Sequence, residues 1–368
     1  MTMLEIDGSR YSGSGTIVRQ AVMCAALTGQ AVHIVKARVR RPTPGLRPQH
    51  VRVVEALRQV VGGQTEGVEV GAQAFTFWPA TPPHGQHYLW DIGSAGSTTM
   101  LALAVLPVLA CGATPVTVDI RGGVFQDFAP SVYHLQHVVL PLIRRMGIEA
   151  TVTMERPGYV PRGGGILHLT VQPGHQELQR LVLEEAGAVE RVWGIALASH
   201  LAERRVSQRM AEAARAVLAT AGYQADIALQ EDTSALQPEA SLALFADLAG
   251  GARLGADQAG APRRRAEAIG RSVAQHLMED LQTGATLDRY AADQVIPFAA
   301  LAAGESRFRI PQLTEHMESN AWLAQVFLGA EITIAGQVLS ITGAGGRPPW
   351  ATAAREGGAD GTSSVGLS

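Results

Sequence analysis

Cysteine is nearly absent from this chain, which has only Cys24 and Cys111. Two cysteines cannot build the multiple-disulfide framework of a small secreted scaffold. Both lie in apolar runs, AVMCAALTG and VLPVLACGA, and read as small buried hydrophobes in a reducing compartment. Nothing calls for a bond between them. Aromatics make up only 5% of the residues, which argues against a surface that captures RNA by many interleaved stacking rings. Excess positive charge is missing too. Lys and Arg number 30 against 33 Asp and Glu, a net charge of −3, so the chain is no bulk polyanion binder and any anion site must be local. Long hydrophobic runs are also lacking. Met100–Ala113, interrupted by Pro107, is shorter than the roughly 20 residues that cross a bilayer. The opening MTMLEIDGS turns acidic and glycine-rich at once and does not read as a secretory leader. The expectation is a cytoplasmic protein with no membrane association.

What is present is a large apolar fraction, 46%, and a repeat. LEIDGSRYSGSGTIVRQAVMCAALTG reads as strand, Asp7, glycine turn, hydroxyl residue, apolar helix and glycine stop; YLWDIGSAGSTTMLALAVLPVLACG follows the same plan around Asp91. A third segment, LDRYAADQVIPFAALAAGES (287–306), repeats the helix without the glycine turn. After each come a strand, a loop, a second helix ending in glycine, and alternating apolar residues: FTFWP, ILHLTVQP, ITIAGQVLSITG. The pattern predicts an α/β (α+β) fold of three βαβαβ(β) units around a pseudo-threefold axis, helices inward. Residues 1–179 would hold units one and two, and 281–343 unit three. Between them, 180–280 reads as a smaller inserted α/β domain: strand VERVWGIALAS, a long amphipathic helix, two further strands, a glycine-rich loop and a last helix. The tail 344–368, rich in Gly, Ala and Ser, reads as disordered.

Three features carry chemistry. KARVRRPTPGLRPQHVR (36–52) concentrates Lys36, Arg38, Arg40, Arg41, Arg47 and Arg52 without one acid. A solvated charge run is the plain reading; stiffening by proline and Gly45 favours preorganised phosphate donors. The turns GSGT (13–16) and GSAGSTT (93–99) precede helices, where free amides and the positive helix end attract anions. Tight packing between units explains them equally well. Finally, TEHMESNAW (314–322) opens a late helix with Thr314 as N-cap and Glu315 and Glu318 in its first turn. His316 and Asn320, four apart, share one face. A lone histidine is more often a surface or capped core residue. No triad partner or metal spacing is legible around it.

Together these blocks resemble the RNA 3′-terminal phosphate cyclase family over about residues 4–340. The carriers are RPTPGLRPQH (41–50), DIGSAGSTT (91–99), PGYVPRGGG (157–165), RYAADQVIPFAALA (289–302) and EHMESNAWLAQVFLG (315–329). The resemblance implies that His316 attacks the α-phosphorus of ATP, that AMP then passes to an RNA 3′-phosphate, and that the adjacent 2′-hydroxyl closes a 2′,3′-cyclic phosphate and releases AMP. It places Pro130, Tyr290, Asp293 and Gln294 around the nucleotide, and Arg19, Arg38, Arg41 and Gln49 on phosphates. Asn320 would orient the helix start or the histidine. Mg²⁺ or Mn²⁺ would accompany the ATP phosphates, and nothing speaks against a homodimer. The family's first turn usually reads Glu-Gly-Gly-Gly-Gln; here it is Ser12-Gly-Ser-Gly-Thr16, without the carboxylate that would contact a metal.

Other classes compete. A non-catalytic relative in RNA binding or ribosome assembly would lack the histidine. A carboxyvinyl-transferase-like enzyme would show two equal halves of repeats. A generic RNA binder would need no ATP.

Overall fold

The computed structural model describes residues 3–173 and 177–345. The predicted tail, from residue 346 onward, lies outside them. The first unit runs β1 (Leu4–Asp7), α1 (Gly15–Thr28), β2 (Val32–Val35), α2 (Pro48–Val60), β3 (Gln64–Glu66) and β4 (Phe75–Trp78). The second runs β5 (His87–Asp91), α3 (Thr98–Ala110), β6 (Val116–Gly122), α4 (Val132–His134), a single π turn Leu135–Val139, α5 (Leu140–Arg145), β7 (Ala150–Arg156) and β8 (Gly165–Val171). Their sheets have the orders β1-β2-β4-β3 and β5-β6-β8-β7, the same topology twice. In each, the first pair is parallel, as a right-handed crossover through a helix demands.

The third unit repeats that order, and its first strand is found in an unexpected place. β9 (Val182–Leu183) pairs in parallel with β14 (Ala303–Arg309), which is followed by α10 (Glu315–Leu328), β15 (Glu331–Ala335) and β16 (Val338–Ala344), giving β9-β14-β16-β15. The inserted segment therefore interrupts unit three between its first strand and its first helix, rather than separating units two and three at residue 180. Two residues are too few for a period-2 pattern to announce a strand. The unit's first helix is split into α8 (Ala291–Gln294) and α9 (Ile296–Leu301), with Pro297 at the start of the second piece.

The insert carries β10 (Val189–Ser199), α6 (Val206–Thr220), β11 (Ala225–Asp232), β12 (Glu239–Leu248), β13 (Arg253–Ala259) and α7 (Ala266–Gln282), with sheet order β11-β10-β12-β13. The glycine-rich stretch expected as a loop is thus a strand in part. Gly255 sits inside β13 because a Cβ there would lie 2.9 Å from both His134 and Val138. Glycine in this strand marks close approach to the π turn, not a bend.

Why the helices face inward follows from their surfaces. α1 and α3 are apolar nearly all round and almost wholly buried, as only interior helices are. α1 packs against α2, α3 and α10, and α9 against α10. The sheets lie outside and alternate buried with half-buried residues, as in β8. Cys24 is buried within α1, where burial pushes its thiol up to about 12; Cys111 is half-buried. Among the described residues no helix is long and apolar enough to cross a membrane.

Asp288 joins three bodies. Its carboxylate meets His134 Nε2 of unit two at 3.0 Å, with both side chains fully buried, and accepts from Gly255 N of the insert and from Tyr290 N and Ala291 N at the start of α8. Burial opposes charge on both partners, yet their mutual attraction raises the pKa of His134 and lowers that of Asp288. The carboxylate's contribution is therefore lost as pH falls through its depressed value, and the imidazolium's as pH rises through its elevated one. Asp288→Ala strands a buried imidazole and three amides and is expected to destabilise the chain by about 3–5 kcal/mol. A urea midpoint equal to wild type at neutral pH would refute this.

Candidate active site

α1 begins where the glycine turn ends. Ser14 caps it by accepting from Thr16 N, and the turn residue Gly15 presses on His50: a Cβ there would lie 2.1 Å from His50 Nε2. α10 begins beside it, capped by Thr314 as the sequence predicts. The two helix starts are stitched by hydroxyls. Ser12 Oγ lies 2.8 Å from Ser319 Oγ and 3.0 Å from Ser14 Oγ, and Thr16 Oγ1 lies 2.9 Å from His316 Nδ1.

An open cleft of about 360 Å³ lies over this seam. Five predicted residues line it: Arg19, Arg38, Arg41, Gln49 and His316. Arg19 donates to Thr16 Oγ1 at 3.2 Å. Arg38, held at φ 57, donates to the carbonyls of Thr43 and Gly45, so the strained backbone is fixed by its own loop. Arg41 has no side-chain hydrogen bond among the described residues. None of the three is paired with a carboxylate there; Arg40, by contrast, bonds Tyr11 O and Glu315. Gln49 Oε1 accepts from Ser97 N in the second glycine turn.

The remaining predicted residues lie elsewhere. Tyr290 lines a second cavity of about 250 Å³, which shares Gln126–Ala129 with the first. Asp293 and Gln294 line neither. Gln294 Nε2 donates to Asp293 Oδ1, and burial pushes the Asp293 carboxyl up to about 7 despite the pull of Arg19. Pro130 is buried and also a wall of neither cavity; its carbonyl accepts from Thr99 Oγ1 at 2.7 Å. Asn320 makes no hydrogen bond to the histidine among the described residues. Its amide donates to Asp293 O and ties α10 to α8.

His50 also lines the cleft, and nothing in the sequence pattern separates it from a core histidine. Burial first, then Arg19, Arg38 and Arg47, push its pKa well down. Its Nδ1 accepts from Arg47 N at 3.0 Å, so a neutral ring carries its proton on Nε2, as a donor. His316 is depressed from its ordinary 6.5 by burial, then by Arg19 and Arg41, with Glu315 opposing. Arg19 itself falls to about 10, chiefly by burial, and stays charged. The arrangement offers guanidiniums, helix-end amides and two neutral imidazoles, which suits a polyphosphate facing a nitrogen nucleophile.

Metal ligands are lacking. Among the described residues no group of three or more His, Cys, Asp or Glu is arranged to hold an ion. Ser12, where a carboxylate was missing from the sequence, spends its hydroxyl on Ser319 and Ser14, and Asp127 is bound to Arg264. The residues present do not fit a protein-held divalent cation. An NMR titration of His316 is expected to show a midpoint below 6.5, and Arg19→Gln with Arg41→Gln to shift it upward. A wild-type midpoint above 6.5 would contradict the charge argument.

The family model described as RNA 3′-terminal phosphate cyclase matches residues 10–334. The RNA 3′-terminal phosphate cyclase of Pyrococcus furiosus is 35% identical over 336 residues, covering 91% of this chain and 96% of that protein. That of Hyperthermus butylicus is 39% identical over 338 residues, covering 90% and 93%. A solved structure, the enolpyruvyl transferase NikO from Streptomyces tendae, overlaps 94% of this chain and 49% of its own at 13% identity and a TM-score of 0.37, too slight a likeness to bear on function. With a family model along nearly its whole length and end-to-end relatives, this chain belongs to the RNA 3′-terminal phosphate cyclase family.

Proposed function

We propose that this protein converts an RNA 3′-terminal phosphate to a 2′,3′-cyclic phosphate at the expense of ATP, through a covalent histidine–AMP. The observation that carries the reading is His316, held by Thr16 on the wall of a cleft with three guanidiniums that form no ion pair with a carboxylate among the described residues. A terminal phosphate monoester is a poor electrophile, because its leaving group would be hydroxide-like. Adenylation turns it into an anhydride whose leaving group is AMP.

His316 is the nucleophile. If Nδ1–H donates to Thr16 Oγ1, Nε2 keeps its lone pair for the α-phosphorus, and the depressed pKa keeps the ring neutral. Pyrophosphate leaves as the N–P bond forms. The nucleoside lies toward the Tyr290 cavity, backed by Asp293, Gln294 and Pro130. Arg19, Arg38, Arg41 and the α1 amides hold phosphate oxygens and stabilise the charge that develops on them. The RNA 3′-phosphate then displaces His316 from the adenylyl phosphorus. The neighbouring 2′-hydroxyl attacks the activated RNA phosphorus, gives up its proton, and AMP departs. Gln49 and the donor Nε2–H of His50 suit the RNA phosphate. Mg²⁺ or Mn²⁺ would arrive on the triphosphate, since the described residues offer no cage for it. The same reading makes the protein cytoplasmic and leaves a homodimer open.

His316→Ala is expected to fold, take no label from α-labelled ATP that survives denaturation, and lose cyclisation by roughly a thousandfold or more. Retained label would refute the nucleophile. Wild-type protein that takes no label would favour the non-catalytic alternative. Thr16→Val should slow labelling roughly ten- to a hundredfold through loss of ring orientation, with Thr16→Ser restoring it; equal rates in all three would remove Thr16 from the mechanism.

A further inference from the structure

The loop shared by the two cavities displays a ring that the reaction above does not use. Phe128 is 102% exposed, yet it lines both cavities. Its φ is 66°, a conformation that a bulky side chain adopts only under strain. A glycine or asparagine would sit there more easily and would leave no apolar surface in water. Nor is the ring exposed because the loop is slack. Asp127 is held in a two-pronged pair by Arg264, 2.8 Å at each prong. Beyond it, Pro130 O accepts from Thr99 and Ser131 N donates to Asp257 Oδ2 at 2.8 Å. Before it, Phe125 packs between Tyr133 and Tyr159 with ring centroids 5.4 Å from each. A pinned loop thus holds an unpacked aromatic at the rim of the cleft.

Resting on the cyclase reading, we propose that Phe128 is the stacking platform for the 3′-terminal nucleobase of the RNA. Every base has a flat π face, so one ring can receive any terminal nucleotide without reading its identity. The choice of the RNA base over the adenine of ATP follows from exposure. A side chain projecting wholly into solvent meets a ligand that arrives from outside, whereas the nucleoside would be held among Tyr290 and the insert residues Asp257, Gln258 and His276. Stacking requires the terminal base to be free of a partner, so the substrate class is an RNA with an unpaired 3′ end. A duplex end, whose last base is already stacked and paired, would gain little from this ring.

The test measures cyclisation of a short 3′-phosphorylated RNA by wild type, Phe128→Ala and Phe128→Trp, with labelling by ATP alone run beside it. Phe128→Ala should raise KM for the single-stranded RNA roughly tenfold while KM for ATP stays within twofold, and Phe128→Trp should restore RNA binding. The same RNA with an abasic 3′-terminal nucleotide should bind wild type and Phe128→Ala equally. An unchanged KM for RNA, a rise confined to ATP, or an undiminished penalty on the abasic RNA would each overturn the assignment. A wild type that neither labels nor cyclises would overturn the cyclase reading and this inference with it, an outcome distinct from an active wild type matched by Phe128→Ala.

Discussion

A single hydroxyl, Thr16 Oγ1, meets His316 Nδ1 at 2.9 Å across 300 residues of chain, and the site depends on that contact. It exists only because two helices start side by side. α1 is an interior helix and α10 packs along it; the Ser12–Ser319 bond at 2.8 Å sets their mutual height. The arrangement brings the free amides of one helix start and the imidazole of the other to one cleft floor. Threonine suits the position because its oxygen can accept from Arg19 and from His316 at once. The seam joins unlike members of the repeat: α1 is the first helix of unit one and α10 the second helix of unit three, packed against each other inside the ring of sheets.

Electrostatics then divides two histidines by role. Both sit among arginines in partly or wholly desolvated surroundings, and both are pushed toward the neutral form. Their backbone and side-chain partners differ. His50 Nδ1 accepts an amide proton and so exposes a donor. His316 Nδ1 faces a hydroxyl that can accept, which leaves the other nitrogen as a base. The same cationic field that would bind phosphate thus favours the unprotonated form of His316. It acts through Arg19 and Arg41, residues that would also hold the substrate, so binding and reactivity are not separable by charge removal alone.

The three units, the insert, the arginine loop and the Thr314 cap were legible because each is a local pattern: periodicity, glycine stops, or charge clustered against an acidic average. What escaped has no local signature. β9 is two residues long and is defined only by its partner β14. β13 is disguised by Gly255, which is there for the packing of His134. Asp288 looks like one more loop acid until its four partners are seen. Pro130, Asp293 and Gln294, placed by family resemblance, line neither of the two cavities described; a motif transfers residue identity and not side-chain direction. Low aromatic content argues against a stacking surface of many rings, but an average cannot reveal where one ring stands.

The insert is then more than a decoration on a loop. It enters unit three between β9 and α8, so its two ends are tied to one sheet and to one helix start. Asp288 couples its strand β13 to that helix start and to unit two through one buried carboxylate. Arg264, just beyond β13, grips Asp127 on the loop between the cavities. Asp257, Gln258, Arg264 and His276 all wall the Tyr290 cavity. Removing the insert would therefore unmake one wall of that cavity and release the loop that carries Phe128. A domain that looks dispensable by topology is fixed by these contacts as the back of the site, and its retention needs no function of its own.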